Sequence, residues 1–198
     1  MAIHPVVIDV HLPAGVAGPD PMDFDVRCFL VAHASGISLV DTGMPGSACA
    51  IAEVLTSVGA SWSDITDVLL SHDHPDHIGS LDDVRAHAPQ AVVWGNAPVT
   101  GRPLNEGDVI RDLTVIATPG HTAGHVSLLH GSGALLVGDI VGNQNGSLSR
   151  APAPFTADAV EAERSLRKVA GIGFDRLLTA HGAELPDGTN ALRELVES

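Results

Sequence analysis

Between positions 71 and 79 the chain reads Ser71-His72-Asp73-His74-Pro75-Asp76-His77-Ile78-Gly79, with three histidines and two aspartates inside the six positions 72 to 77. Neutral imidazole nitrogens and carboxylate oxygens are ligands for a borderline divalent cation. A tight loop that alternates them lets several side chains converge on one point. The stretch follows directly on the apolar run Val68-Leu69-Leu70, so a buried strand delivers the candidate ligands to the edge of a sheet. A polar turn that happens to be rich in histidine is the plain alternative. What weighs against it is the rest of the chain.

The same ending recurs. Val40 leads to Asp41, Val115-Ile116-Ala117 precedes His121, Leu136-Val137-Gly138 leads to Asp139, and Leu178-Thr179-Ala180 leads to His181. With Leu70-Ser71-His72 that makes five apolar runs ending in, or just before, a potential ligand. A sheet scaffold assembles one metal site from distant sequence in this way, and chance is a poor account of five such endings.

The elements that must position these residues are strands and amphipathic helices mixed throughout, which predicts an α/β (or α+β) fold in a single domain over residues 1–198. Strands are expected at 3–10, 24–34, 37–41, 67–71, 91–94, 113–118, 126–130, 134–137 and 176–180. Helices are expected at 47–58, where Ala48, Ile51, Val54, Leu55 and Val58 fall at helical spacing, and at 80–86, 156–169 and 189–196. Thr156 is the expected N-cap of the third, which carries Asp158 and Glu161 early and Arg164, Arg167 and Lys168 late. Three stretches rich in Pro, Gly, Asn or Ser are expected to be irregular: 11–25, 95–107 and 142–154.

Composition narrows the function classes. The chain has 198 residues, 44% hydrophobic and 17% charged, and its 10 basic against 24 acidic residues give a formal charge of −14. Such a balance argues against a nucleic-acid surface or an anionic membrane as partner and leaves a small-molecule substrate. Ligand carboxylates are partly neutralised once cations bind. No apolar run approaches the ~18 residues that span a bilayer, and Asp9 interrupts the N-terminal apolar segment, so a signal peptide is not expected and the cytoplasm is the default compartment. The two cysteines, Cys28 and Cys49, are expected to be buried thiols without a disulfide.

The ordered set His72-x-His74-x-Asp76-His77, Thr118-Pro119-Gly120-His121-Thr122-x-Gly124-His125, Gly138-Asp139 and His181 resembles the metallo-β-lactamase superfamily of metallohydrolases, and Asp41-Thr42-Gly43 resembles its first motif. The likeness runs from about residue 25 to residue 182. It implies a four-layer αβ/βα sandwich, two mixed sheets between outer helices, with a metal site at one edge. It further implies that His72, His74 and His121 hold one metal, that Asp76, His77 and His181 hold a second, and that Asp139 bridges them. Two divalent ions about 3.5–4 Å apart can share a hydroxide that attacks a carbonyl. Zinc is the expected ion, with iron or manganese compatible with the same nitrogen and oxygen donors. Asp76 and Asp41 are the expected catalytic carboxylates. Asp76 directs the hydroxide; Asp41 orients a ligand imidazole or the His/Asp loop, a role weighed equally against that of a turn cap. His125 is expected to form hydrogen bonds behind the site, and Arg102 and Arg150 to be solvated loop charges.

Departures from individual branches narrow the reading. Asp139 stands where β-lactamases of this fold commonly have Cys or no bridging ligand. The chain has no tyrosine, which excludes the usual oxyanion device of the family's lactonases. Its ligand set resembles glyoxalase II, but the residues after His181 carry only Arg193 as a basic group, against the basic helical region that binds glutathione there. A compact hydrolase of a small ester, thioester, lactone or amide is therefore expected. The alternatives are a mononuclear iron persulfide dioxygenase using His72, His121 and Asp139, a β-lactamase, and a non-catalytic metal-binding protein. Oligomeric state is left open.

Overall fold

The structure is a computed structural model that describes residues 2–15, 19–98, 101–144, 146–185 and 187–198. Parts of the three stretches expected to be irregular (16–18, 99–100 and 145) lie outside the described residues. Strand β1 (Ile3–Leu12) pairs antiparallel with β2 (Met22–His33), register running from Ile3 opposite Val31 to Leu12 opposite Met22. The expected loop over 11–25 is thus shorter than the sequence suggests, since 11–12 and 22–25 belong to the strands and only 13–21 lie between them. Its three prolines, at 13, 19 and 21, all fall between the strands, where no ladder N–H is needed.

Strand β3 (Gly36–Val40) follows antiparallel to β2, and helix α1 (Ala48–Ser57) carries the chain over to β4 (Ile65–Leu69), parallel to β3. Helices α2 (Pro75–Ile78) and α3 (Leu81–His87) lead to β5 (Val92–Trp94), parallel to β4. The second sheet contains β6 (Val109–Ile110), β7 (Leu113–Ala117), β8 (Val126–His130) and β9 (Ala134–Leu136), antiparallel in succession. Next, β10 (Val141–Gln144) and β11 (Ser147–Arg150) form a separate hairpin, within the last of the stretches expected to be irregular. That hairpin escapes sequence reading because its strands are short and polar. It is anchored by Asn143 N–H donating to the His181 carbonyl and by Leu148 packed against the second sheet's helix layer. Helix α4 (Ala159–Ala170) then crosses to β12 (Arg176–Leu178), parallel to β9, and α5 (Gly188–Glu197) ends the described chain.

Two mixed sheets, ordered β1-β2-β3-β4-β5 and β12-β9-β8-β7-β6, face each other with helices outside, and the core divides accordingly. Val68 and Leu70 pack towards α1 and α3, where Ile51, Leu55, Leu81 and Val84 meet them. Leu69, one residue out of phase, points between the sheets with Val40, Val115, Leu128 and Leu136, as the two-residue strand period requires. On the far side, Leu135 and Leu177 pack with Leu166 and Val169 of α4 and Leu192 of α5. A strand buried on both faces reads as an unbroken apolar run. Val68-Leu69-Leu70 is such a run.

Two local expectations change. Helix α4 is capped by Asp158, whose carboxylate accepts from Glu161 N–H at 2.9 Å, and not by Thr156, whose hydroxyl donates to the Pro152 carbonyl. The reason is tertiary: the N–H groups of Ala157 and Asp158 donate to the carbonyls of His121 and Gly120, which keeps the segment out of the helix. Cys28 is buried as expected, but Cys49 is exposed because it lies off the α1 face that buries Ile51 and Leu55. Among the described residues no helix is long and apolar enough to cross a membrane.

Candidate metal centre

At the C-terminal edge of β4 the His/Asp loop is fixed from below by Asp41. Its backbone adopts φ +60°, a left-handed conformation that Asp tolerates better than most residues. One carboxylate oxygen accepts from Ser71 N–H at 2.7 Å; the other accepts from the Ser71 hydroxyl at 2.8 Å and from His77 Nδ1–H at 2.9 Å. Thr42 clamps the same turn, its N–H and hydroxyl both donating to the His77 carbonyl. The chain then enters α2 with Pro75 at its first turn, where a missing N–H costs nothing. Asp41 thus acts through Ser71 and His77, both of its oxygens being engaged. These contacts, to the residue before His72 and to His77, are those expected of a carboxylate that orients the His/Asp loop.

His121 follows β7. Gly120, at φ +130°, lies so close to α4 that a Cβ there would collide with the Ala162 backbone, so only glycine lets the helix approach the ligand loop. Asp139 follows β9 in a short 3-10 turn. Its N–H donates to His125 Nε2 at 3.0 Å, which fixes the His125 proton on Nδ1, where it faces the Thr118 hydroxyl at 2.8 Å. Gly138 at φ +63° is required too, since a Cβ would sit 2.5 Å from His125 Nε2. His125 holds the Asp139 backbone and contributes to neither ligand group. His181 follows β12, its Nδ1 donating to the Asp25 carbonyl at 2.9 Å, while the Asp25 carboxylate accepts from Gly182 N–H at 3.1 Å.

These placements bring all seven expected ligands together. Potential ligand atoms of His72, His74, His121 and Asp139 lie within 4.8 Å of one another, as do those of Asp76, His77, Asp139 and His181. Asp139 belongs to both groups. Its Oδ2 lies 3.8 Å from His72 Nε2 and 3.5 Å from His121 Nε2 on one side and 3.2 Å from His181 Nε2 on the other; its Oδ1 lies 3.2 Å from His77 Nε2.

The donor set fits divalent cations. Among the described residues, His72 Nε2, His77 Nε2 and Asp139 Oδ1 are buried without a hydrogen-bond partner, which is costly unless another group satisfies them. His77 already spends its Nδ1 proton on Asp41, so its neutral form turns a lone pair towards the Asp139 carboxylate. Two acceptors face to face call for a cation between them. His121 Nε2 and His74 Nδ1 lie 2.8 Å apart and share a hydrogen bond, one ring nitrogen donating to the other. Without metal the charges compensate one another. Burial opposes the His77 cation, but Asp139 and then Asp41 outweigh it and raise its pKa well above the usual histidine value. Burial likewise opposes the Asp139 carboxylate, but His77 and His181 hold it well below its ordinary range. Burial keeps His72 low and pushes His121 down to about 4 and His125 to about 3, so these three are neutral, the form in which imidazole ligates.

Beside the His72, His74 and His121 group opens a cavity of about 530 Å³. Neither arginine weighed in the sequence lines it. Arg102 lies over the Trp94 ring at 5.0 Å, and Arg150 is held by Glu163 and by the Leu195 carbonyl. Sequence reasoning assigned no part to Ser71, Thr118 or Asp25. The first two stand inside the motifs and were legible there; nothing in the sequence links Asp25 to His181, 156 residues away.

Residues 22–100 match the sequence pattern of the metallo-beta-lactamase superfamily. A hydroxyacylglutathione hydrolase from Aeromonas salmonicida is 30% identical over an alignment covering 80% of this chain and 61% of that protein. A thioesterase from Emericella nidulans is 32% identical, covering 78% of this chain and 45% of that protein; the chain therefore spans less than two thirds of either relative. Among solved structures, a metallo-beta-lactamase family protein of Thermus thermophilus superposes with a TM-score of 0.72 at 20% identity, covering 96% of this chain and 78% of that one, a likeness of fold. Motif order, sheet topology and these similarities agree: the chain carries a domain of the metallo-β-lactamase superfamily.

Proposed function

We propose that this protein is a metal-dependent hydrolase that cleaves a small ester, thioester, lactone or amide with the help of two divalent cations, zinc in the first instance. The observation that carries the reading is the pair of ligand groups sharing one buried carboxylate, Asp139. His72, His74 and His121 would hold one ion and Asp76, His77 and His181 the other, with Asp139 between. Bound there, such ions supply a nucleophilic water near neutral pH and polarise the carbonyl it attacks. The relatives named hydroxyacylglutathione hydrolase and thioesterase support a thioester among the candidate bonds.

The chain's own residues supply orientation and charge. Asp76, with Oδ2 3.5 Å from His181 Nε2 and 3.9 Å from His77 Nε2, is part-exposed and can accept a hydrogen bond from the attacking water, fixing its direction. Asp41 locks the His77 ring through Nδ1, and the Asp25 carbonyl does the same for His181, as partners of ligand imidazoles generally do. Elemental analysis of protein purified without chelator tests the reading, followed by a panel of ester, thioester, lactone and amide substrates. About two zinc or manganese ions per chain with turnover of one class is the expected result. About one iron per chain with oxygen consumption would replace the hydrolase by a dioxygenase.

A further inference from the structure

The cavity beside the ligand groups is lined by His72, His74 and His121 and by an apolar wall to which Ala97, Pro98, Ala123, Pro154, Phe155 and Ala157 contribute. Phe155 is 50% exposed, an open aromatic face that burial against a ligand would stabilise. The wall is preformed. Phe155 sits in a 3-10 turn (Ala153–Phe155) with its N–H donating to the Pro152 carbonyl at 3.0 Å. Two residues on, Ala157 N–H donates to the carbonyl of His121 itself, also at 3.0 Å, so the segment that carries Phe155 is tied to the backbone of a candidate ligand, which lowers the ordering cost on binding.

Among the polar groups of the lining, Asn96 is engaged and Asp73 is negative, while the Thr122 hydroxyl is neutral, buried and without a hydrogen-bond partner among the described residues. The Asn96 amide donates to the carbonyls of Leu104 and Gly124 and accepts from Leu104 N–H, so its hydrogen-bonding capacity is spent holding the wall. Asp73 lines the cavity, and the chain's formal charge is −14. A negatively charged substituent would meet Asp73 and find Arg102 and Arg150 committed elsewhere.

Accepting the carbonyl-hydrolase reading, we propose that Phe155 is the specificity-determining residue and that the substrate carries an uncharged, apolar acyl chain lying against it. The volume, about 530 Å³, falls within the range of pockets that enclose small ligands. Each methylene that leaves water on binding should improve kcat/KM by about threefold to fourfold until the wall is covered.

The test uses two-metal protein and thioesters of one thiol, N-acetylcysteamine, with acetyl, butanoyl, hexanoyl and succinyl groups. Calorimetric binding of straight-chain 2-ketones, which keep the carbonyl but cannot be hydrolysed, runs alongside. Hexanoyl should exceed acetyl by about tenfold or more, succinyl should fall at least about tenfold below butanoyl, and ketone affinity should rise with chain length. Phe155→Ala should cut the hexanoyl-to-acetyl ratio by about tenfold and flatten the ketone series with metal content unchanged, whereas Phe155→Leu should keep most of both slopes. A flat acyl series in the wild type, a preference for succinyl, or an unaltered ratio in Phe155→Ala overturns the inference and leaves the hydrolase reading standing. Ketone binding that depends on Phe155, with no thioester turned over, supports the cavity assignment and removes thioesters from the hydrolase reading. Absence of both binding and turnover overturns the inference and removes thioesters from the candidate bonds.

Discussion

Asp67 and Asp139 are both buried carboxylates, 2% and 8% exposed, and the fold treats them in opposite ways. Asp67 accepts from Arg111 Nε–H at 2.8 Å, from the Thr66 hydroxyl at 2.7 Å and from Trp94 Nε1–H at 3.0 Å. Arg111 reaches it from the turn between β6 and β7 in the other sheet, at the uncommon φ of +57°, so this ion pair ties the two sheets together. Asp139 is surrounded by ring nitrogens, and its Oδ1 has no hydrogen-bond partner among the described residues. Strand β4 carries Asp67 within it and leads to His72 just beyond its C-terminal end. The difference teaches how to separate architecture from chemistry: a buried carboxylate matched by protein donors holds the fold, and one among ring nitrogens belongs to groups that could hold a cation.

The sharpest way to break that comparison is Asp139→Asn, which keeps the shape and removes the charge. Metal retention should fall and kcat should drop about a hundredfold or more, comparable to losing a main electrostatic element of a site. Elemental analysis with steady-state kinetics checks it; full metal content and full activity would make Asp139 a second Asp67. Asp41→Asn should come next. Asp41 matches donors as Asp67 does, but one of them is the imidazole of His77, so metal affinity or activity should fall about 10–100-fold, measured by competition with a chromophoric chelator. A loss no larger than that of a surface variant would place Asp41 with architecture alone.

Arg111→Leu should have the smallest effect on chemistry, leaving metal content and kcat unchanged while lowering stability by about 1–2 kcal/mol at pH 7, the half-exposed guanidinium being screened by solvent. Burial opposes the Asp67 carboxylate, but Arg111, Thr66 and Trp94 hold its pKa below the ordinary value. A folded value below the unfolded one means that the network's stability is present above the ordinary carboxylate pKa and lost as pH falls through the folded value. The gap between wild type and Arg111→Leu in urea unfolding should therefore shrink in acid. A gap that widens there would show that Asp67 is not the partner that matters.

The candidate ligands were unusually legible because their chemistry is local. Imidazole and carboxylate crowd positions 72 to 77, and each remaining ligand stands at, or a few residues past, the end of an apolar run, so residue type and strand period together point to one sheet edge. Helices α1 and α3 showed through their spacing and punctuation to within a residue or two. What failed to show depends on contacts made across the fold. Prolines 13, 19 and 21 suggested a long loop, but they occupy only the tip of a hairpin whose ladder extends to Leu12 and Met22. The β10–β11 hairpin is held by His181 and the outer helix layer rather than by its own composition. Thr156 lost the cap of α4 to Asp158 because the His121 loop had claimed the backbone before it.

Taken alone, residue type and spacing determined an α/β (or α+β) fold and the residues that meet at one edge, while the two-sheet sandwich was implied by the family resemblance that the motifs carry. Burial periodicity and ligand chemistry are properties of residue type and spacing. Tertiary structure decided which of those residues face one another, that Asp41 spends both oxygens on Ser71 and His77, that Asp25 steadies His181, and that Phe155 walls the cavity. Each of those facts is a hydrogen bond or a contact between segments far apart in the chain, and such pairings exist only once the sheets have closed on each other.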